Sequence, residues 1–193
     1  MRNGFAGLVL VALVSLVLFA SAPVRAAETY VIDNVHSSVS FKAFHAGISW
    51  VHGRFDEVSG SFTLDSGDPS KCSFKLTLKV DSIDTNNKDR DKHLKSPDFF
   101  NAAQFPTITF QSTSVKPAEA GYEVTGDLTM HGVKKSITFT LKGGKKVQFP
   151  PGKNRTGFTT DLTLKRSDWD MGKMLNALGD EVPVSIGIEG VQP

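Results

Sequence analysis

Residues 90–113 read RDKHLKSPDFFNAAQFPTITFQST. Two patterns meet in this stretch. Arg90 to Asn101 mixes dense charge with one His and a Phe pair. From Pro106 the chain alternates strictly: Ile108, Phe110 and Ser112 have one parity, Thr107, Thr109 and Gln111 the other. Strict alternation is the period of a strand with one dry and one wet face. A long, charged, Phe-bearing connection that feeds such a strand is expected to help build a site.

The same alternation spreads outward in both directions. Strands are expected over Val39 to Ala43, Gly60 to Leu64, Cys72 to Val80, Ile108 to Ser112 and Tyr122 to Met130. Three more follow over Ile137 to Leu141, Phe158 to Leu164 and Val182 to Ile188. Ser66-Gly67-Asp68-Pro69, Glu119-Ala120-Gly121 and Met130-His131-Gly132 read as tight antiparallel turns between them. Successive hairpins make a meander, and closure of a meander removes its exposed edges. The expected class is all-β: an eight-stranded antiparallel barrel, with short helices in two long connections. Those connections run from Ser82 to Phe105 and from Arg166 to Glu181, with a helical turn expected around Met171 to Leu178 in the second.

The N-terminus has another character. Arg2 precedes an apolar run from Phe5 to Ala20, and Val24-Arg25-Ala26 ends it on a small residue. This is the pattern of a secretory signal peptide over residues 1–26, shorter than the ~20 apolar residues that span a bilayer comfortably. Cleavage after Ala26 leaves 167 of the 193 residues, enough for one domain, and places the protein in the periplasm or outside the cell. The remaining chain carries 20 basic and 20 acidic residues, which argues against nucleic acid as a partner. Cys72 is the one cysteine, so no intrachain disulfide can form, and its strand parity makes it a buried small hydrophobe.

Catalytic patterns are missing. None of His36, His45, His52, His93 and His131 sits at metal-ligand spacing, although the first three could converge around a turn. No serine or cysteine has a nucleophile setting. Apolar bulk dominates instead, with 14 Phe against 2 Tyr and 2 Trp. Small residues at inward positions, namely Ala43, Gly60, Ser112, Gly126 and Thr160, beside these rings leave a channel for an elongated apolar molecule.

Several short elements recur in one order. They are Tyr30-Val31-Ile32-Asp33 with His36-Ser37, Gly53 to Phe55, Ser82 to Thr85, and Arg90-Asp91-x-His93-Leu94-x-Ser96-x-Asp98-Phe99-Phe100. Pro106 to Ser112, Gly126 to Val133, Arg166-Ser167-Asp168 and Gly179 to Val182 complete them. Together they resemble the YceI-like family of secreted polyisoprenoid-binding proteins. One departure is Trp169-Asp170 where the family often has Phe-Gly.

The resemblance implies that residues 27–193 are one YceI-like lipid-binding domain with a lipocalin-like barrel. Its implied ligand is an isoprenoid lipid, either a polyprenyl chain or an isoprenoid quinone, with no cofactor and no catalytic residue carried over. The tail is expected along Val39, Phe41, Phe62, Phe110, Leu128, Met130, Phe158 and Ile186, with Phe99 and Phe100 as contacts from the cover segment. His45, Arg90, His93 and Arg166 are head-group candidates; the competing role for each is bracing the long connections. A carrier of this kind has a membrane as transient partner and a homodimer as an open assembly. The alternatives are a quinone-linked redox accessory protein or enzyme with a histidine-based metal site, and a scavenging module without a specific ligand.

Overall fold

A computed structural model describes Met1 and residues 26–193. The expected leader therefore lies outside the described residues, apart from its two ends. Twelve strands form one antiparallel sheet: β1 (Glu28–Ile32), β2 (Ser38–His45), β3 (Ser49–Phe55), β4 (Val58–Leu64), β5 (Ser73–Lys79), β6 (Ile83–Asp84), β7 (Thr107–Ala118), β8 (Gly121–Met130), β9 (Val133–Gly143), β10 (Val147–Gln148), β11 (Asn154–Lys165) and β12 (Glu181–Val191). Among the described residues there is one α-helix, α1 (Lys88–Leu94), and no helix long and apolar enough to cross a membrane.

These strands make eight staves, because β1 runs on into β2, β3 into β4 and β5 into β6, and the two-residue β10 lies on β11 outside the ring. β1 and β2 both lie along β12, β4 and β3 pair with them in turn, and β5 and β6 pair with β4 and β3. The breaks are short and stay bonded. Asp33 donates its amide to Glu189 O at 2.8 Å and caps a one-turn 3-10 segment at Asn34–His36. At the next break the Asp56 amide reaches Ser82 O at 3.1 Å. Such interruptions let long antiparallel staves bend around a barrel. The ring then runs in chain order through β7, β8, β9, β11 and β12 and closes on β1 and β2.

Hairpin chemistry follows the sequence in two places. Glu119-Ala120 joins β7 to β8, and His131-Gly132 joins β8 to β9 with φ of +51° and +77°. Two positive φ values are the signature of a type I′ turn, whose twist suits flanking strands. Gly143-Gly144 is not a hairpin tip. It is where β9 meets β11: a Cβ on Gly143 would lie 2.5 Å from Gly157 O. The tip is carried by residues 149–152 beyond β10.

One end of the barrel is solid. Tyr30, Phe62, Phe74, Tyr122 and Phe158 stack there, with ring centroids 5.2 Å (Tyr30–Phe62), 5.6 Å (Phe62–Phe158) and 5.5 Å (Phe74–Phe158) apart. Gly190 gives this plug its room, since a Cβ there would meet the Phe62 ring at 2.5 Å. The helix expected around Met171 to Leu178 is reduced to one turn, in which the Leu178 amide reaches Met174 O at 2.8 Å. Met174 has φ +59°, which a right-handed helix cannot continue through.

Candidate lipid cavity

Above the plug the barrel is hollow. A cavity of 190 Å³ is walled by inward residues of nearly every stave, and its exposed wall is entirely apolar. β12 contributes Val182, Val184, Ile186 and Ile188 in strict alternation. β7 and β8 contribute Ile108, Phe110, Leu128 and Met130. Alternation therefore does here what it predicts: every second residue of each stave faces one shared interior.

Both long connections cap this space. The first, residues 85–106, is organised by α1. Asn87 Oδ1 accepts the Arg90 amide at 3.0 Å, and Asp91 Oδ1 accepts the Thr85 amide at 2.9 Å and its hydroxyl at 2.5 Å. This places Leu94, Phe99 and Phe100 over the cavity, with Phe100 edge-on to Phe55 at 5.7 Å. The second connection sends down Met171 and Leu178. The Lys173 ammonium lies 3.5 Å from Asp98 and ties one cap to the other. His93 holds the same carboxylate at 3.3 Å, and this hydrogen bond is the main cause that lowers the Asp98 pKa.

Eight of the ten channel residues expected from sequence line the cavity: Val39, Phe41, Phe99, Phe100, Phe110, Leu128, Met130 and Ile186. Phe62 and Phe158 do not. They belong to the plug, because parity assigns a face and not a height within the barrel. The small residues also divide. Ala43 and Thr160 line the cavity. Gly126 is covered by the Phe110 ring, Ser112 Oγ accepts the Phe74 amide at 2.9 Å, and Gly60 sits against Lys75 O.

The head-group candidates separate further. Arg166 reaches the cavity but is 8 % exposed and spends its donors on backbone. Nε donates to Gly179 O at 3.0 Å, Nη2 to Leu178 O at 2.9 Å, and Nη1 to Lys173 O at 2.7 Å and to Met171 O. Burial pushes its pKa down. Arg90 braces α1, with Nε on Thr85 Oγ1 at 2.8 Å and Nη2 on Thr85 O at 2.6 Å. His45 is exposed and bridges in backbone to Leu178. His45, Arg90 and His93 are not on the cavity wall.

The wall has one seam. β9 and β11 pair only at Gly143–Phe158 and Lys142–Thr159. That register, continued, sets residues 136–141 against 160–165, yet no ladder joins them. Ile137, Phe139, Leu162 and Leu164 flank the seam and are half-buried. Phe139 leans instead on Phe110, at 5.2 Å.

His36, His45 and His52, which could have met around a turn, do not come together. His36 lies on the turn after β1, while His45 and His52 lie along the β2–β3 hairpin. Among the described residues, Asp33, His36 and Glu189 come within metal-ligand distance of one another. Arg155 Nη1 already lies 2.7 Å from Asp33 and 2.5 Å from Glu189, so a guanidinium supplies the positive charge there. Sequence reading missed this ion cluster. Its signal was only the Asp33–His36 spacing, because Arg155 and Glu189 lie far along the chain.

A closed meander barrel around a cavity whose exposed wall is apolar is a lipocalin-like fold. The YceI-like domain profile matches residues 30–190. Protein YceI of Salmonella arizonae is 40% identical over 177 residues, covering 91% of this chain and 92% of that protein. The crystal structure of the Campylobacter jejuni YCEI protein superposes with a TM-score of 0.68 at 30% identity, covering 76% of this chain and 87% of that one. A polyisoprenoid binding domain from Saccharophagus degradans gives 0.65 at 17% identity, covering 85% and 98%, and shares the fold. This chain belongs to the YceI-like family.

Proposed function

We propose that this protein is a periplasmic or secreted carrier that binds an isoprenoid lipid, a polyprenyl chain or the tail of an isoprenoid quinone, inside the barrel. The observation that carries the reading is the cavity wall: 27 residues, of which only Thr160 and Arg166 are polar, with the Arg166 guanidinium turned onto carbonyl oxygens. A wall whose exposed surface is entirely apolar selects hydrocarbon, since a polar group inside would lose its hydration without a partner. Each buried methylene contributes ~0.8 kcal/mol gross, so a five-carbon isoprene unit contributes about 4 kcal/mol before ordering costs. A few units therefore suffice for tight binding, and a polar head belongs at the caps or the seam. The likeness in fold to a polyisoprenoid binding domain supports the same ligand class.

A carrier role is favoured over catalysis because Arg166 is the one titratable side chain on the wall, and its donors are engaged. A membrane from which lipid is taken and a second copy of the chain belong to the same proposal as partners. The test is extraction of lipid from purified protein followed by mass spectrometry, with titration of a polyprenyl alcohol and of an isoprenoid quinone. Isoprenoid copurifying or binding at one equivalent supports the reading. Protein that carries none and binds neither would sink it.

A further inference from the structure

We infer that the capped rim of the barrel is a docking surface for a bilayer containing anionic lipid, with Trp50 and Ile48 as its anchors. Two segments form the rim. The β2–β3 hairpin and residues 171–179 are joined by the Ala46 amide to Ala177 O at 2.7 Å and the Gly179 amide to Phe44 O at 2.9 Å. Outward from this joint stand four large apolar side chains: Ile48 at 79% exposure, Leu175 at 49%, Trp50 at 43% and Met174 at 41%. Phe44 packs against Trp50 with the rings tilted and their centroids 4.9 Å apart, and extends the same face. The inward side chains of these segments, Ala43, Met171 and Leu178, line the cavity. One pair of segments thus presents apolar groups both to the interior and to the outside.

Charge names the occupant. Residues 42–52 and 171–179 contain Lys42, Lys173, His45 and His52 and no carboxylate. The Lys42 ammonium sits 4.7 Å over the Trp50 ring, an amphipathic pair suited to the headgroup level of a membrane. Lys173 is shared with Asp98 of the first cap at 3.5 Å, which leaves Lys42 as the cation of these segments without a carboxylate partner among the described residues. Apolar side chains around such a cation match an anionic lipid surface, which attracts Lys within a Debye length. A second exposed pair, Val147 and Phe149, stands with Lys145 and Lys153 on the hairpin after β9, beside Lys142 at the end of that strand. That hairpin meets the barrel near Phe158, where the aromatic plug separates it from the cavity. The rim alone couples an exposed apolar face to the interior.

The inference rests on exposure and charge and not on the cargo, so its test uses vesicles without isoprenoid. Trp169 is 2% exposed, so a change in tryptophan emission on vesicle addition reports Trp50. Vesicles of phosphatidylglycerol and phosphatidylcholine should shift the emission to the blue and carry the protein in flotation, less so at high salt. Ile48→Asp with Leu175→Asp should weaken binding on the order of tenfold or more with an unchanged urea midpoint. Lys145→Glu with Phe149→Asp, at the plugged end, should bind as the parent does. Absence of shift and flotation, loss of binding only in the plugged-end variant, or equal binding to phosphatidylcholine alone would overturn it. So would light scattering that shows a dimer dissolved by the rim substitutions, which would make a second copy the occupant.

Discussion

Replacing Arg166 by Met decides between two roles for the one charged side chain on the cavity wall. Its guanidinium donates to four carbonyl oxygens, of residues 171, 173, 178 and 179, and so gathers the whole second connection. Met keeps the apolar stem and removes every donor. A buried acceptor left unpaired costs ~1–3 kcal/mol, and water can reach the half-buried members of the set. The expected total is about 3–5 kcal/mol, below the simple sum because the connection can relax. For a domain of this size that is a fall in Tm on the order of 10 °C, with or without lipid present. Scanning calorimetry reads the fall, and limited proteolysis should cut first within residues 171–178. Arg166→Lys should recover part of the loss. If Arg166→Met melts within about 2 °C of the parent but binds isoprenoid far more weakly, the arginine is a head-group ligand and the bracing argument is wrong.

The other expectations concern acid, the plug and the seam. The Asp33 pKa is lowered to about 2, first by its hydrogen bond with His36 and then by Arg155. Stability from a lowered carboxylate is full above its unfolded value near 3.8 and lost as the pH falls through about 2. Asp33→Asn should therefore flatten the acid limb in urea unfolding measured across that window; parallel limbs would discount the cluster. Gly190→Ala forces a Cβ to 2.5 Å from Phe62 and should cost ~1–3 kcal/mol in thermal melting while leaving lipid capacity intact. Capacity lost in step with stability would place the plug within the ligand's reach. Bridging Thr138→Cys and Thr163→Cys, outward positions facing one another on the continued β9–β11 register, with a bis-maleimide should slow lipid exchange. Cys72 is buried and should stay unlabelled. Exchange at the parent rate would assign lipid passage to the caps.

Much of this barrel is legible along the chain. Inward parity along β7, β8 and β12 picks out Phe110, Leu128 and Ile186 without any structure, because a two-residue period is a local property. Phe62 and Phe158 show the limit. Both have the right parity, but whether an inward ring lies at the plug or on the cavity depends on how the staves are staggered around the barrel. The same limit hides β1 and β3, which continue other strands through breaks that interrupt alternation. Arg166 and Arg155 were illegible for another reason. Their partners lie up to 13 residues away for Arg166, and 34 and 122 residues away for Arg155, so neither role has a local signature.

By itself the amino-acid sequence determined the strand class, the eight-stave meander, two of its tight turns and the apolar character of the interior. All of these follow from residue type and short spacing, which each segment carries alone. Only the tertiary structure decided where the interior is filled and where it is hollow, and which strand pair is left unzipped. It also decided whether a charged side chain faces a ligand or a backbone carbonyl. Those outcomes depend on stagger and long-range closure, where residues far apart in the chain compete for one volume and one set of hydrogen bonds.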